Sequence, residues 1–229
     1  HQMIREFFTS RHGGISSGRF ADFNLALHVA DDPAAVTANR EILAKALEMT
    51  SDRIFYMDQV HGNEIALIER SRPSAQIPKV DALITEESGT ALVVLVADCI
   101  PLLFRSPKAI AAVHVGRAGL VNGIANHTLA VMRNLGARNI HAVLGPSICG
   151  KCYEVPIQLQ AEVSAIHPDS YSTTRHSTPA LDLQAGLVAQ LISQDVSFEA
   201  STVCTMENSL YFSHRRDNPT GRFVGVVKI

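Results

Sequence analysis

Residues 92–104 read LVVLVADCIPLLF, an apolar run with an acid and a thiol, Asp98 and Cys99, side by side at its centre. The run 91–97, which overlaps its start, and the later runs 109–115 and 139–144 have strand length and β-branched content, so all three predict strands. A core strand can use a lone cysteine as a small hydrophobe. It has no such use for an aspartate, because a buried carboxylate is costly without a partner. The rest of the chain has to supply the reason for Asp98.

Helical periodicity predicts a helix over 33–48, with Pro33 in its first turn and Val36, Ile42, Leu43, Ala46 and Leu47 as an apolar stripe. Residues 53–69 predict two strands around a turn at Gly62-Asn63, which puts His61 at a hairpin tip. Residues 71–79, rich in Pro and Ser, predict a surface loop. Further helices are expected over 120–135, closed by Gly136, over 156–166, and over 182–194 with Asp182 as its cap. The tail RFVGVVKI predicts a final strand. Strands and helices do not strictly alternate, so a mixed sheet in one domain spanning 1–229 is expected, with His1-Gln2 as an expression remnant ahead of Met3.

Composition narrows the function classes. Of 229 residues 46% are hydrophobic and 18% charged, enough for a sizeable core. A net charge of −2 without a basic block argues against nucleic acid as the main partner. No apolar stretch reaches membrane-spanning length without a charge or a proline. The cysteines, Cys99, Cys149, Cys152 and Cys204, are too sparse for a disulfide scaffold, which leaves metal binding, catalysis or core packing. With no signal peptide in view, a cytoplasmic protein is expected, and monomer and homodimer are both open.

The residues with chemistry to offer sit where strands end: Cys99 after LVVLVAD, His114 late in AIAAVHV, and His61 after DQV. Two imidazoles and one thiolate are good zinc donors, and three protein ligands leave the open position of a catalytic zinc site. Asp98 could then orient a ligating histidine or take a proton from substrate. The three ligands are 38 and 15 residues apart, and such residues also serve as packing, so both readings stand. Gly116-Arg117-Ala118-Gly119 leads into a helix, where free N–H groups and the Arg117 charge suit an anion; a plain strand-to-helix turn is the alternative. Cys149-Gly-Lys-Cys152 has no second C-x-x-C to complete a zinc ribbon and no helix directly behind it as a redox dithiol would have. Cys149 remains a candidate site residue and Cys152 a packing residue. Arg215, Arg216 and Arg222 reach a site only if the tail loop folds over it.

Taken in order, TSRHGGIS, NLALHVADDPAAVTANR, DQVHGNEI, DALIT, VADCIPLLF, AAVHVGRAGL, GPSICGKCYEV, LDL and CTMENSLYFSHRRDNPTGR resemble one family nearly end to end. It is the YfiH-like family, long labelled laccase-domain or multicopper polyphenol oxidase and now described as purine nucleoside phosphorylases. The resemblance implies a four-layer α/β/β/α sandwich with mixed sheets, an α+β fold. It implies a zinc ion on His61, Cys99 and His114, and phosphorolysis of adenosine, inosine and methylthioadenosine to a base and a pentose 1-phosphate. Adenosine deamination and minor copper-dependent oxidation of phenols are also attributed to the family. Copper oxidases need several metal centres and many histidines, so copper is the weaker expectation.

On this reading Cys99, His114 and Asp98 are catalytic. Arg117, Arg11, Asn24, Arg40, Cys149 and Arg216 are substrate- or phosphate-binding residues, and the partners are purine nucleosides and phosphate. The chain departs from the family pattern H-A-G-W-R-G: Ala118 replaces its arginine and Arg117 its tryptophan. His214 replaces a tyrosine, and Gly186-Leu187 an Asn-Arg pair. Two other functions compete. One is a metal-free hydrolase or deamidase with Cys99 as nucleophile and His114 as base, as in a deamidase toxin among the family's fold relatives. The other is a zinc-holding interaction protein that has lost its catalytic arginine.

Overall fold

The computed structural model describes residues 4–229, so the remnant expected at His1-Gln2 lies outside the described residues. Among the described residues twelve strands are formed: β1 Arg5–Phe8, β2 Ile54–Phe55, β3 Ile65–Ile68, β4 Ala82–Thr85, β5 Ala91–Val96, β6 Ile100–Arg105, β7 Ile110–Val115, β8 His141–Leu144, β9 Tyr171–Thr173, β10 Pro179–Leu181, β11 Ser197–Ala200 and β12 Phe223–Lys228. The α-helices are α1 Pro33–Ala46, α2 Arg117–Asn122, α3 Ile124–Asn134, α4 Ile157–Ile166, α5 Leu183–Ser193 and α6 His214–Asp217.

Two mixed sheets face each other. The smaller runs β1-β12-β5-β2 and the larger β11-β8-β6-β7-β4-β3, with β9 and β10 a separate pair. Strand alternation dictates the layers. In β5, Ala91, Val93 and Leu95 pack with Leu43 and Ala44 of α1 and with Leu47 at its C-cap, while Leu92, Val94 and Val96 meet Leu83, Leu103 and Ala112 of the larger sheet. The far face of the larger sheet, through Ile84, Leu102, Phe104 and Val113, covers Leu120, Ile124, Leu129, Leu187 and Leu191 of the remaining helices. Three apolar seams thus separate four layers, α/β/β/α. Each fully buried Val or Leu in them contributes roughly 1.5–3 kcal/mol. No helix among the described residues is long and apolar enough to cross a membrane.

The cap predicted at Asp182 forms, accepting from the Ala185 N–H at the start of α5, and Asp32 caps α1 by accepting from the Ala34 N–H. Three expectations need correction. The hairpin over 53–69 does not form, because β2 pairs with β5 in the smaller sheet and β3 with β4 in the larger. The run 92–104 is two strands in different sheets, with Asp98-Cys99 at the crossing between them. The helix expected over 120–135 begins at Arg117 and breaks at Gly123, whose left-handed φ of 77° ends α2 and starts α3. These crossings position the site, since both carry the chain from one sheet to the other at the same end of the sandwich.

Candidate metal centre

The crossing from β2 to β3 brings His61, the crossing from β5 to β6 brings Cys99, and the end of β7 brings His114. Their donor atoms lie within 4.8 Å of one another, with His114 buried and His61 exposed. The two imidazole rings meet edge-on at 4.7 Å between centroids.

Asp81, fully buried just before β4, holds this geometry. Its Oδ1 accepts from the N–H groups of Val60 and Gly62, at 3.0 and 2.9 Å. Its Oδ2 accepts the His61 N–H at 3.0 Å and lies 2.7 Å from His114 Nδ1. One carboxylate therefore fixes the loop that carries the first histidine and the ring of the second. It leaves His114 Nε2 for a metal, the usual carboxylate–histidine arrangement of ligating imidazoles. His61 adopts a left-handed φ of 61°, which costs a non-glycine residue about 1–3 kcal/mol; the Asp81 grip offsets it. Burial alone would raise the Asp81 pKa, but the His114 bond and the Gly62 and Val60 N–H groups hold it below the ordinary value.

The histidine-orienting carboxylate is thus Asp81 and not Asp98. Asp98, at φ 97°, accepts from Thr205 Oγ1, Ser213 Oγ and the Arg215 N–H, each at 2.7 Å. It ties the tail loop down beside Cys99, which accounts for an acid in that apolar run. Gly116 stands where no side chain fits: a Cβ there would lie 2.8 Å from Cys99 Sγ and 3.6 Å from His61 Cδ2.

Electrostatically the three residues form a thiolate–imidazolium cluster. Burial would raise Cys99, but the charge and hydrogen bond of His114, with help from His61, bring its pKa down to about 6. Burial likewise opposes the charge on His114, yet Cys99 and Asp81 lift it to about 9. A group whose pKa falls is ionised over a wider range, so Cys99 of metal-stripped protein should be alkylated by iodoacetamide with a half-maximal rate near pH 6. Added zinc should suppress the reaction. A midpoint near the ordinary thiol value, about 8.5, would show that the cluster does not form.

The cluster opens into a cleft of about 300 Å³ whose lining includes His28, Met57, Tyr153, His214, Arg215 and Arg222. The tail loop does fold over the site. Asn24 Oδ1 accepts the Arg222 N–H at 2.9 Å and so places that arginine. Arg222 is half-buried, and burial lowers its pKa against the pull of Cys99 and Asp98. The Arg215 guanidinium sits 4.9 Å over the Tyr153 ring.

Other residues predicted for substrate lie elsewhere, and none of the following lines the cleft. Arg11 donates to the Ala21 carbonyl and stacks on Phe212. Arg40 donates to the Leu25 carbonyl and stacks on Tyr56. Arg216 is spent on the carbonyls of Thr205, Met206, Asn208 and Tyr211. The Asn24 amide group serves Ala26 and Asp31. Arg117, half-buried at the start of α2, acts on the Tyr153 phenol. Cys149 groups with Cys152, Cys204 and Glu207 instead. There burial and the neighbouring thiols raise Cys152 to about 12, the opposite of the lowered thiol that a redox dithiol uses.

Asp81, Tyr153 and His28 escape a sequence reading of the site, although DALIT, GPSICGKCYEV and NLALHVADDPAAVTANR contain them; Arg222 was reachable only through the fold of the tail loop.

Residues 5–229 match the family described as multi-copper polyphenol oxidoreductase laccase. The purine nucleoside phosphorylase SCO2081 of Streptomyces coelicolor is 46% identical over 225 residues, 96% of this chain and 93% of the relative. The purine nucleoside phosphorylase Rv2149c of Mycobacterium tuberculosis is 45% identical, over 98% of this chain and 91% of the relative. Among solved structures, YlmD from Geobacillus stearothermophilus has a TM-score of 0.91 at 33% identity, covering 98% of this chain and 91% of that one. The hypothetical protein YfiH of Bacillus licheniformis has a TM-score of 0.92 at 27% identity, covering 99% and 92%.

Proposed function

The chain belongs to the multi-copper polyphenol oxidoreductase laccase family, and we propose that it is a cytoplasmic purine nucleoside phosphorylase working with zinc at His61, Cys99 and His114. The observation that carries this reading is the donor set: two imidazoles and one thiolate, converging within 4.8 Å at the floor of an arginine-lined cleft. The relatives' name, purine nucleoside phosphorylase, supplies the reaction. The donors fit zinc with one position open. The same set also suits a copper electron-transfer centre, so metal identity belongs in the test. When bound, zinc supplies fixed divalent charge for a phosphate or sugar oxygen and needs no redox change.

The chain's own groups divide the remaining work. Arg222 bonds the Thr220 and Gly221 carbonyls through Nη1 alone, so its other N–H groups can take phosphate oxygens bidentately. Arg215 lies alongside. A phosphate oxygen held there forms the new bond to the sugar's anomeric carbon as the bond from that carbon to the purine nitrogen breaks. His28 or His214, both cleft-lining imidazoles, delivers the proton the leaving purine takes up. Asp98, with its oxygens occupied by three donors, acts as a positioning residue for the tail loop. The substrates proposed are adenosine, inosine and methylthioadenosine, and adenosine deamination is a second reaction open to the same cleft.

The test couples metal analysis for zinc and copper to release of adenine and hypoxanthine from those nucleosides, with and without phosphate. Phosphate-dependent release together with zinc is expected; in Cys99→Ala the release should fall to background and the zinc equivalent held by His61, Cys99 and His114 should be lost. Zinc without base release would sink the phosphorylase assignment.

A second reading has one specific observation behind it. The lowered Cys99 beside a raised His114 is also the pairing of a cysteine hydrolase. Such an enzyme keeps full activity in chelator, whereas the phosphorylase proposed here loses it.

A further inference from the structure

Away from the cleft's open position, Cys149, Cys152, Cys204 and Glu207 bring four donor atoms within 4.8 Å of one another. We propose that these four side chains hold a second, structural zinc ion that clamps the loop carrying Tyr153 into the cleft to the loop whose Thr205 holds Asp98.

The donors suit the ion. Three thiolates and a carboxylate complete a closed tetrahedral shell, the pattern of a structural rather than a catalytic zinc. A zinc–sulfur bond of about 2.3 Å in a tetrahedron puts sulfurs about 3.8 Å apart, within the present spread, so only small side-chain adjustments are needed. Cys149 and Cys152 already form a chelating turn, in which the Cys149 carbonyl accepts from the N–H groups of Cys152 and Tyr153 at 3.0 and 3.1 Å. The Cys149 N–H points at Cys204 Sγ, 3.3 Å away, a bond that stabilises a thiolate ligand.

The charge also balances better than the donors alone suggest. Three thiolates and a carboxylate around a divalent ion leave an excess of two negative charges. Arg175 offsets part of it, donating to Cys152 Sγ at 3.4 Å and to Glu207 Oε1 at 3.1 Å. Its guanidinium thus occupies the outer side of the cluster, in the position of a ligand-orienting partner.

The loops this ion would join are the ones the cleft depends on. An isolated bridge between Ser147 and Cys204 is the backbone link beside the cluster. Directly after Cys152 come Tyr153, which lines the cleft, and Glu154, whose carbonyl accepts from Arg215. Directly after Cys204 comes Thr205, which donates to Asp98 beside Cys99. The clamp therefore acts on the wall and not on the reacting atoms. It is independent of the zinc at His61, Cys99 and His114.

The test is zinc analysis of protein purified under reducing conditions without added metal. Wild type should carry two equivalents, Cys204→Ser one, Cys99→Ala one, and the double variant none. The Cys99→Ala protein, in which the second cluster is intact, should also bind one equivalent of cobalt with thiolate-to-metal absorption. Its melting temperature should fall on chelation. These readouts hold even if Cys204→Ser does not fold. A Cys99→Ala protein with neither zinc nor cobalt–thiolate absorption would overturn the proposal. So would a Cys149–Cys152 disulfide found by mass mapping of the reduced-purified protein. Failure of the first site alone would leave the metal content of Cys99→Ala equal to that of wild type.

Discussion

Gly116→Ala is expected to empty the His61–Cys99–His114 site while leaving the fold in place. The backbone at Gly116 is extended, at φ −95° and ψ −164°, so an alanine there carries no conformational strain. The obstacle is space: its Cβ would sit 2.8 Å from Cys99 Sγ, closer than non-bonded carbon and sulfur tolerate. Cys99 is anchored by β6 and by the buried Asp98 before it, so the relief available is rotation of the thiol out of the ligand set. Activity should fall roughly a hundredfold or more, the usual cost of a displacement of about 1 Å in a catalytic group. Far-ultraviolet circular dichroism and melting temperature should stay near wild type. One zinc equivalent per chain should disappear on elemental analysis. Full zinc content in Gly116→Ala would show that the thiol is not a ligand.

Asp81→Asn should be nearly as damaging, for a different reason. The substitution preserves shape but puts an NH2 group where one of the carboxylate oxygens was. If the remaining oxygen keeps Val60 and Gly62, the new N–H groups face the His61 N–H and His114 Nδ1, which now share Oδ2. His114 can answer only by presenting an unprotonated Nδ1, which moves the proton to Nε2 and removes the lone pair a metal needs. Zinc affinity should drop roughly 10–100-fold, the range for loss of a ligand-orienting carboxylate. Stability of the metal-free protein should fall by about 1–3 kcal/mol because a buried donor is left unpaired. Competition against a chromophoric chelator and denaturant melts give the two quantities. An unchanged zinc dissociation constant would remove Asp81 from the site.

What could be read from the sequence followed from where each signal lives. β5 and β7 are legible because burial on both faces leaves a nearly unbroken apolar run, and β8 because Ala142 and Leu144 alternate with half-buried neighbours. Asp182 announces α5 because capping is local chemistry. The same double burial hid the boundary between β5 and β6, since a run with no polar face carries no periodicity to break. Gly62-Asn63 is a fair turn signal, yet the partners of β2 and β3 are set by sheets that the turn does not see. The metal donors stood out because thiol and imidazole at strand ends are chemically unusual there. Asp81 did not, being 33 residues from the histidine it holds. The Cys149–Cys204 contact spans 55 residues, so C-x-x-C looked incomplete when its missing members were in another loop. Tyr153 enters the cleft through loop closure, a tertiary event without a local trace, and Arg222 was visible only as a condition on how the basic tail folds.

The order of strands in the smaller sheet has a consequence for how the molecule is made. β12, the last strand among the described residues, lies between β1, the first, and β5. On the ribosome β1 therefore has no neighbour to pair with until residues 223–228 have emerged. At about 5–20 residues per second that interval is on the order of tens of seconds. Through it, β1 and one side of β5 present unpaired edges that invite other chains or a chaperone. Arg222, the residue immediately before β12, reaches the cleft only when that strand slots in. A nascent chain thus lacks the finished cleft until residues 223–228 are in place, and completion of the sheet and completion of the cleft are one event.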